Sequence, residues 1–172
     1  MLIPEEFARL LDELNRNGLP YVLVGGVAVN LLGRERVTRD VDVLVPATKA
    51  QGQAIRHLLE GLEATRVDGS PLPDVLFDGE HHIRALTSLG IIDFIPEGEG
   101  SLSWASVSGA ALTDELHGVT VRLVSLNHLV ALKRLADRPQ DREDVRRLEL
   151  MYGPLRPLPD TPTDGSEEPH HD

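Results

Sequence analysis

The sequence predicts a single α/β domain: a mixed, twisted sheet with acids on one open face, helices behind it, and a C-terminal helical pair. Three observations predict it. Short β-branched runs alternate with segments of helical spacing, two of those runs carry aspartates among their apolar residues, and 172 residues that are 41% hydrophobic suffice for one core.

Taken in order, Ile3, Phe7, Leu10, Leu11 and Leu14 recur at helical spacing, Pro4 suits a first turn, and Asn17-Gly18 supplies a stop. Tyr21–Val24 is a short strand that ends at Gly25-Gly26, and Val27–Leu32 reads as a buried helix closed by Gly33. Val41, Val43 and Val45 alternate with Asp40, Asp42 and Leu44, so 41–45 is a second strand, ended by Pro46. A helix from about Thr48 to Glu60 follows, then a turn-rich loop over 61–79 with room for one short strand. His82–Thr87 and Leu89–Ile95 form two strands around a tight turn at Ser88–Gly90. Val119–Val124 is a further strand, Ser125 caps a helix from Leu126 to about Ala136, and Pro139 opens a last helix to about Met151. The domain is expected to span 1–152, and Gly153–Asp172, rich in proline and acids without periodicity, to be a disordered tail.

Composition narrows the function. With no cysteine there is no thiolate, disulfide or Cys-ligated metal chemistry. Aromatics at 3% leave an aliphatic core and no stacking platform for bases, with Trp104 a packing anchor. No basic-plus-apolar leader and no apolar run of roughly 20 residues are present, so a cytoplasmic location without membrane contact is expected. The formal charge of −11 argues against binding nucleic acid by phosphate neutralisation alone. His81-His82 and His170-His171 lack a ligand partner at helical spacing, which argues against a transition-metal site.

The aspartates are the anomaly. Residues i and i+2 of a strand share a face, so Asp40 and Asp42 project together, with Cα atoms roughly 7 Å apart, while the valines face the core. Without a cation the pair is repulsive, and a hard ion such as magnesium suits it, taking one or two carboxylates and completing its shell with water and phosphate. Asp93 is another acid inside an apolar strand, LGIIDFIP, placed to complete the site from a neighbouring strand. Gly25-Gly26, between strand and helix, offers free backbone N–H groups to a phosphate.

Each feature also has a structural reading. The glycines suit a tight turn and Asp40 a cap. Lys133 and Arg134 suit a solvated helix face, and Arg138, Asp141, Arg142, Asp144 and Arg146 suit pairs at i,i+3 and i,i+4.

Gly25-Gly26, a helix, then Arg36-x-Thr38-x-Asp40-x-Asp42 and a lone strand Asp93 together resemble the polymerase-beta-like nucleotidyltransferase superfamily. Lys133-x4-Arg138-x2-Asp141-x2-Asp144 is similar to the C-terminal motifs of its small AbiEii-type branch, found in toxin-antitoxin loci. The resemblance covers roughly residues 19–150. It implies a nucleotidyltransferase fold and metal-dependent transfer of a nucleoside monophosphate from a nucleoside triphosphate to an acceptor, with release of pyrophosphate. Asp40, Asp42 and Asp93 would be catalytic and hold two Mg2+ ions. Gly25, Gly26, Arg36, Thr38 and Lys133 would bind nucleotide. Two-metal sites of this kind clamp the attacking and leaving oxygens between ions about 4 Å apart.

The pattern departs from the family at Gly26, where many members have serine, and in lacking a large C-terminal acceptor-binding domain. The acceptor therefore stays open among tRNA, a partner protein and a small molecule, for which the acidic body favours a cation. The alternative is a regulatory module that keeps the fold and acts with a cognate toxin or antitoxin.

Overall fold

The computed structural model describes residues 2–77, 82–98 and 101–155. Among these, the elements run α1 (Glu5–Arg16), β1 (Val22–Val24), α2 (Gly25–Leu31), β2 (Asp40–Val45), α3 (Lys49–Gly61), β3 (Ile83–Thr87), β4 (Gly90–Pro96), α4 (Trp104–Gly109), β5 (Leu112–Leu116), β6 (Val119–Leu123), α5 (Leu126–Ala136) and α6 (Pro139–Tyr152). The expected α/β architecture is found, with a six-stranded mixed sheet in the order β3-β4-β2-β1-β6-β5.

Strand pairing decides what the sheet can do. The strands β2 and β4 are parallel neighbours, and their register sets Asp42 directly opposite Asp93. On the other side of β4, antiparallel β3 sets Arg84 opposite Asp93. The central β1 runs antiparallel to β2 and parallel to β6, and β5 closes the far edge against β6. Three strands therefore bring charged side chains to one end of the sheet.

The apolar residues form one cluster that holds this frame. Val41, Val43 and Val45 are fully buried, as the period-two reading of β2 requires. Leu10, Leu11 and Leu14 of α1 are likewise buried, and α1 packs against β6 and β4. The short α2 lies against β1, β2 and α5, and α5 against α6, the expected C-terminal pair. Burying a leucine or valine side chain contributes about 1.5–3 kcal/mol, so the three α1 leucines tie that helix down firmly. Helix starts follow capping chemistry: Ser125 Oγ accepts from the His128 N–H at 3.2 Å, and Thr48 Oγ1 from the Gln51 N–H at 3.1 Å.

Some boundaries differ from expectation. The glycine pair is the first turn of α2 rather than a loop before it, and β3 and β4 begin one residue later than the pattern suggests. Within the described part of 61–79 the short strand reduces to a single bridge, Thr65 with Leu86. Neither α4 nor β5 was anticipated. The first is only six residues long, and four of the five β5 residues are exposed, so neither carries an amphipathic signature. The docked chain also runs past the expected boundary at Tyr152. Leu155 packs on the core, its N–H donates to Glu149 and its carbonyl accepts from Arg134. The remainder of the expected tail, His170-His171 and His81 lie outside the described residues. No helix among the described residues is long and apolar enough to cross a membrane.

Candidate active site

Asp40, Asp42 and Asp93 converge. One carboxylate oxygen from each lies within 4.8 Å of the others, two from adjacent turns of the β2 pleat and one from β4. They line a cavity of about 860 Å³ together with Gly25, Thr38 and Lys133. Leu44, next along the acid face of β2, lines it too, with Leu129 and Leu132 of α5. An aliphatic wall thus meets a charged floor.

Burial and mutual repulsion perturb this cluster. The Asp42 carboxyl is pushed from 3.8 up to about 7, first by desolvation and then by the charges of Asp40 and Asp93, with Lys133 opposing. Asp93 is also raised, by burial above all, although the Arg84 guanidinium pulls it down. Asp93 is only 4% exposed, and its Oδ1 has no hydrogen-bond donor among the described residues. Three acids that cannot all ionise at ease, one with an orphaned buried oxygen, fit a hard divalent cation in donor type and in charge.

Backbone geometry adapts to the acids. Gly25 has φ +68°, and a Cβ there would lie well inside van der Waals contact with Asp42 Oδ2, so only glycine lets α2 begin against that carboxylate. A Cβ on Gly26 would stand 2.7 Å from Thr38 Oγ1. The serine common at this place in the resembled family would therefore collide here with Thr38. Asn30 fastens the intervening loop: its side-chain amide donates to the carbonyls of Gly26 and Arg36, and its oxygen accepts from the Arg36 N–H.

Arg84 was not singled out from the sequence. Its Nη1 donates to Asp93 Oδ2 at 2.8 Å and its Nη2 to Asp40 Oδ2 at 2.9 Å, bridging two of the three acids. The signal was present in the hairpin: with Thr87 paired to Gly90, every pair back along β3 is fixed, and Arg84 must face Asp93.

The second surprise is the degree of burial of the C-terminal charges. Lys133 is 6% exposed, and its Nζ lies 3.0 Å from both Asp141 Oδ1 and Asp144 Oδ2. Fully buried Asp144 also accepts from Arg34, Arg36 and Gln140, which joins the α2–β2 loop to α5 and α6. Asp141 accepts from Arg138, and burial, which would raise its carboxyl, is outweighed by Arg138 and Lys133, which hold it below the ordinary range. The Arg138–Asp141 pair at i,i+3 forms as the spacing suggests, but both acids are buried at the centre of an ion network, and Lys133 is not on a solvated helix face. Four cations against two carboxylates leave that network positive beside the aspartate cluster. Arg134, by contrast, pairs with Glu149 at the surface, in keeping with the solvated reading.

The architecture is that of known nucleotidyltransferases. It is similar to the antibiotic-resistance factor ANT(2'')-Ia, at 18% identity over 87% of this chain and 83% of that one, with a TM-score of 0.61. It is similar to the lincosamide antibiotic adenylyltransferase LnuA, at 16% identity over 86% of this chain and 97% of that one, with a TM-score of 0.58. An antigenic nucleotidyltransferase-like protein from Paracoccidioides brasiliensis matches at 16% identity over 84% of this chain and 74% of that one, with a TM-score of 0.54. No family model matches the chain, and no curated protein matches it. The likeness is one of fold: a mixed six-stranded sheet and its helices arranged as in nucleotidyltransferases.

Proposed function

We propose that the chain is a nucleotidyltransferase that moves a nucleoside monophosphate from a nucleoside triphosphate onto a hydroxyl-bearing acceptor. The observation that carries this reading is the convergence of Asp40, Asp42 and Asp93 in one cavity, under the backbone of Gly25, within this fold. The three acids would hold Mg2+, as one ion or two. When bound, such ions neutralise phosphate oxygens and make a hydroxyl a stronger nucleophile.

The chain's own residues supply the rest. Gly25 and Gly26 present backbone to the triphosphate. Arg36, Thr38 and Lys133 stand along the nucleotide side of the cavity, where the excess positive charge of the Asp144 network favours polyphosphate. The Asp93 carboxylate helps activate the acceptor hydroxyl and takes up its proton. The acceptor oxygen bonds to the α-phosphorus, the bond to the bridging oxygen of the β-phosphate breaks, and pyrophosphate leaves. The acidic body supports a small cationic acceptor over RNA. A small acceptor also accords with the lincosamide named as the substrate class of LnuA.

The test is transfer of α-labelled nucleoside triphosphates to cationic small molecules, RNA and candidate partner proteins, with nucleotide binding measured in parallel. The wild type labels one of these acceptors. Asp93→Asn keeps most of its nucleotide affinity and loses transfer by at least about a hundredfold. A wild type that binds nucleotide, labels nothing and shares its cellular phenotype with Asp93→Asn supports instead a regulatory module of a toxin-antitoxin pair.

A further inference from the structure

We infer that Arg84 is the resident counter-cation of the aspartate cluster and that it must leave for a divalent cation to enter. The inference rests on the metal-site reading above and adds a device to it: the protein carries its own competitor for the ion.

Three observations carry it. First, the guanidinium is forked across two different acids, 2.8 Å from Asp93 Oδ2 and 2.9 Å from Asp40 Oδ2, so its N–H groups point at oxygens a shared cation would need. Second, its single charge faces three carboxylates and touches only two of them. Asp93 Oδ1, on a side chain more than nine-tenths buried, stays without a hydrogen-bond donor, with the exposed His82 Nε2 no closer than 3.9 Å, and Asp42 receives nothing from Arg84. A guanidinium therefore satisfies the cluster incompletely, where a divalent ion matches it better in charge.

Third, Arg84 has somewhere to go. Its side chain is 44% exposed, and its backbone is pinned by pairing along β3, so only the long side chain needs to move. The residue also lines a second cavity of about 500 Å³, bordered by Arg66, Val67, Asp68, Leu72, Pro73 and His82, where Asp68 offers the guanidinium a carboxylate. A flexible four-bond stem rooted between two cavities can exchange one for the other without disturbing the sheet. The metal-free protein is thereby spared an uncompensated acid cluster, and binding of metal alone is weakened by the cost of displacing the guanidinium.

The experiment titrates the full chain with Mn2+ alone, by calorimetry and by the loss of the free-ion electron paramagnetic resonance signal, at pH 8. Four proteins are compared: wild type, Arg84→Gln, Arg84→Lys and Asp42→Asn. Arg84→Gln binds Mn2+ at least about fivefold more tightly than wild type. Arg84→Lys, which keeps a charge but loses the planar fork and the reach of the guanidinium, shifts the same way by less, and Asp42→Asn binds several-fold more weakly. In chelator Arg84→Gln melts below wild type and gains more on adding Mn2+ than wild type does. If Asp42→Asn weakens binding while the Arg84 variants bind no more tightly than wild type, the competition is overturned and the metal site stands. If Asp42→Asn binds Mn2+ as wild type does, the metal site itself falls, and the competition with it. Should Arg84→Gln fail to fold in chelator, Arg84→Lys decides by the same comparison.

Discussion

Asp42 concentrates the local physics of the site. Its carboxyl is raised from 3.8 to about 7, so the folded chain keeps a proton that the unfolded chain gives up near pH 4. Its stabilising contribution is full below pH 4 and is lost as the pH rises to about 7, amounting to a few kcal/mol at about 1.4 kcal/mol per pH unit. His128, lowered by burial, acts in the opposite sense over part of this range, so the readout is a difference between proteins. In chelator, the melting temperature of the wild type relative to Asp42→Asn falls by several degrees between pH 5 and pH 8. A divalent cation at pH 8 restores it. Parallel pH profiles for the two proteins would show that Asp42 is unperturbed. Gly25 answers to the same carboxylate: Gly25→Ala meets both a left-handed φ and a clash with Asp42 Oδ2. It costs about 1–3 kcal/mol in a thermal melt and weakens Mn2+ binding; a variant that matches wild type in both measurements would refute the close approach. These acids were legible in the sequence, because an aspartate between buried valines breaks a pattern that burial enforces.

At the scale of elements, legibility followed periodicity. The strand β2 and helix α1 announce themselves through repeating apolar positions that burial bears out. The strand β5 does not, since it is an exposed edge whose backbone bonds come from β6 and whose residues LTDEL carry no alternation. Local sequence also misrepresents the C-terminal helices. Acids three residues apart suit surface pairs, and only tertiary contacts from Arg34, Arg36 and Lys133 turn Asp144 into a buried hub. Removing one member of such a network leaves buried cations uncompensated, at about 3–5 kcal/mol. Asp144→Asn is therefore expected to lose stability on that scale in denaturant melts. It should also weaken nucleotide binding, because the loop carrying Arg36 and Thr38 is no longer fastened to α5 and α6. Glu143, which pairs with Arg146 and Arg147 at the surface of the same helix, provides the control. Glu143→Gln leaves the denaturant melt close to that of wild type, because an exposed ion pair is screened by solvent, and equal losses for the two variants would contradict the hub.

For the whole molecule, the question is where the folded unit stops. Composition alone placed the boundary after Tyr152, because prolines and acids begin there and apolar spacing ends. Leu155 lies past that point, yet it packs on the core and is hydrogen-bonded at both its N–H and its carbonyl. Tyr152 also reaches back, donating its hydroxyl to the Leu32 carbonyl between α2 and β2. The last described residues thus secure α5 and α6 against the loop that carries Arg36. A chain ending at Leu155 loses five acids and Arg156, which lowers its formal negative charge without removing any core residue named above. It should melt within about 2 °C of the full chain and keep its Mn2+ affinity. A chain ending at Tyr152 gives up the apolar burial and two hydrogen bonds of Leu155, together worth about 2–4 kcal/mol, and should melt several degrees lower. Equal melting temperatures for the two truncations would return the boundary to Tyr152. A large loss already at Leu155 would mean that residues 156–172 contribute to the fold, against their composition.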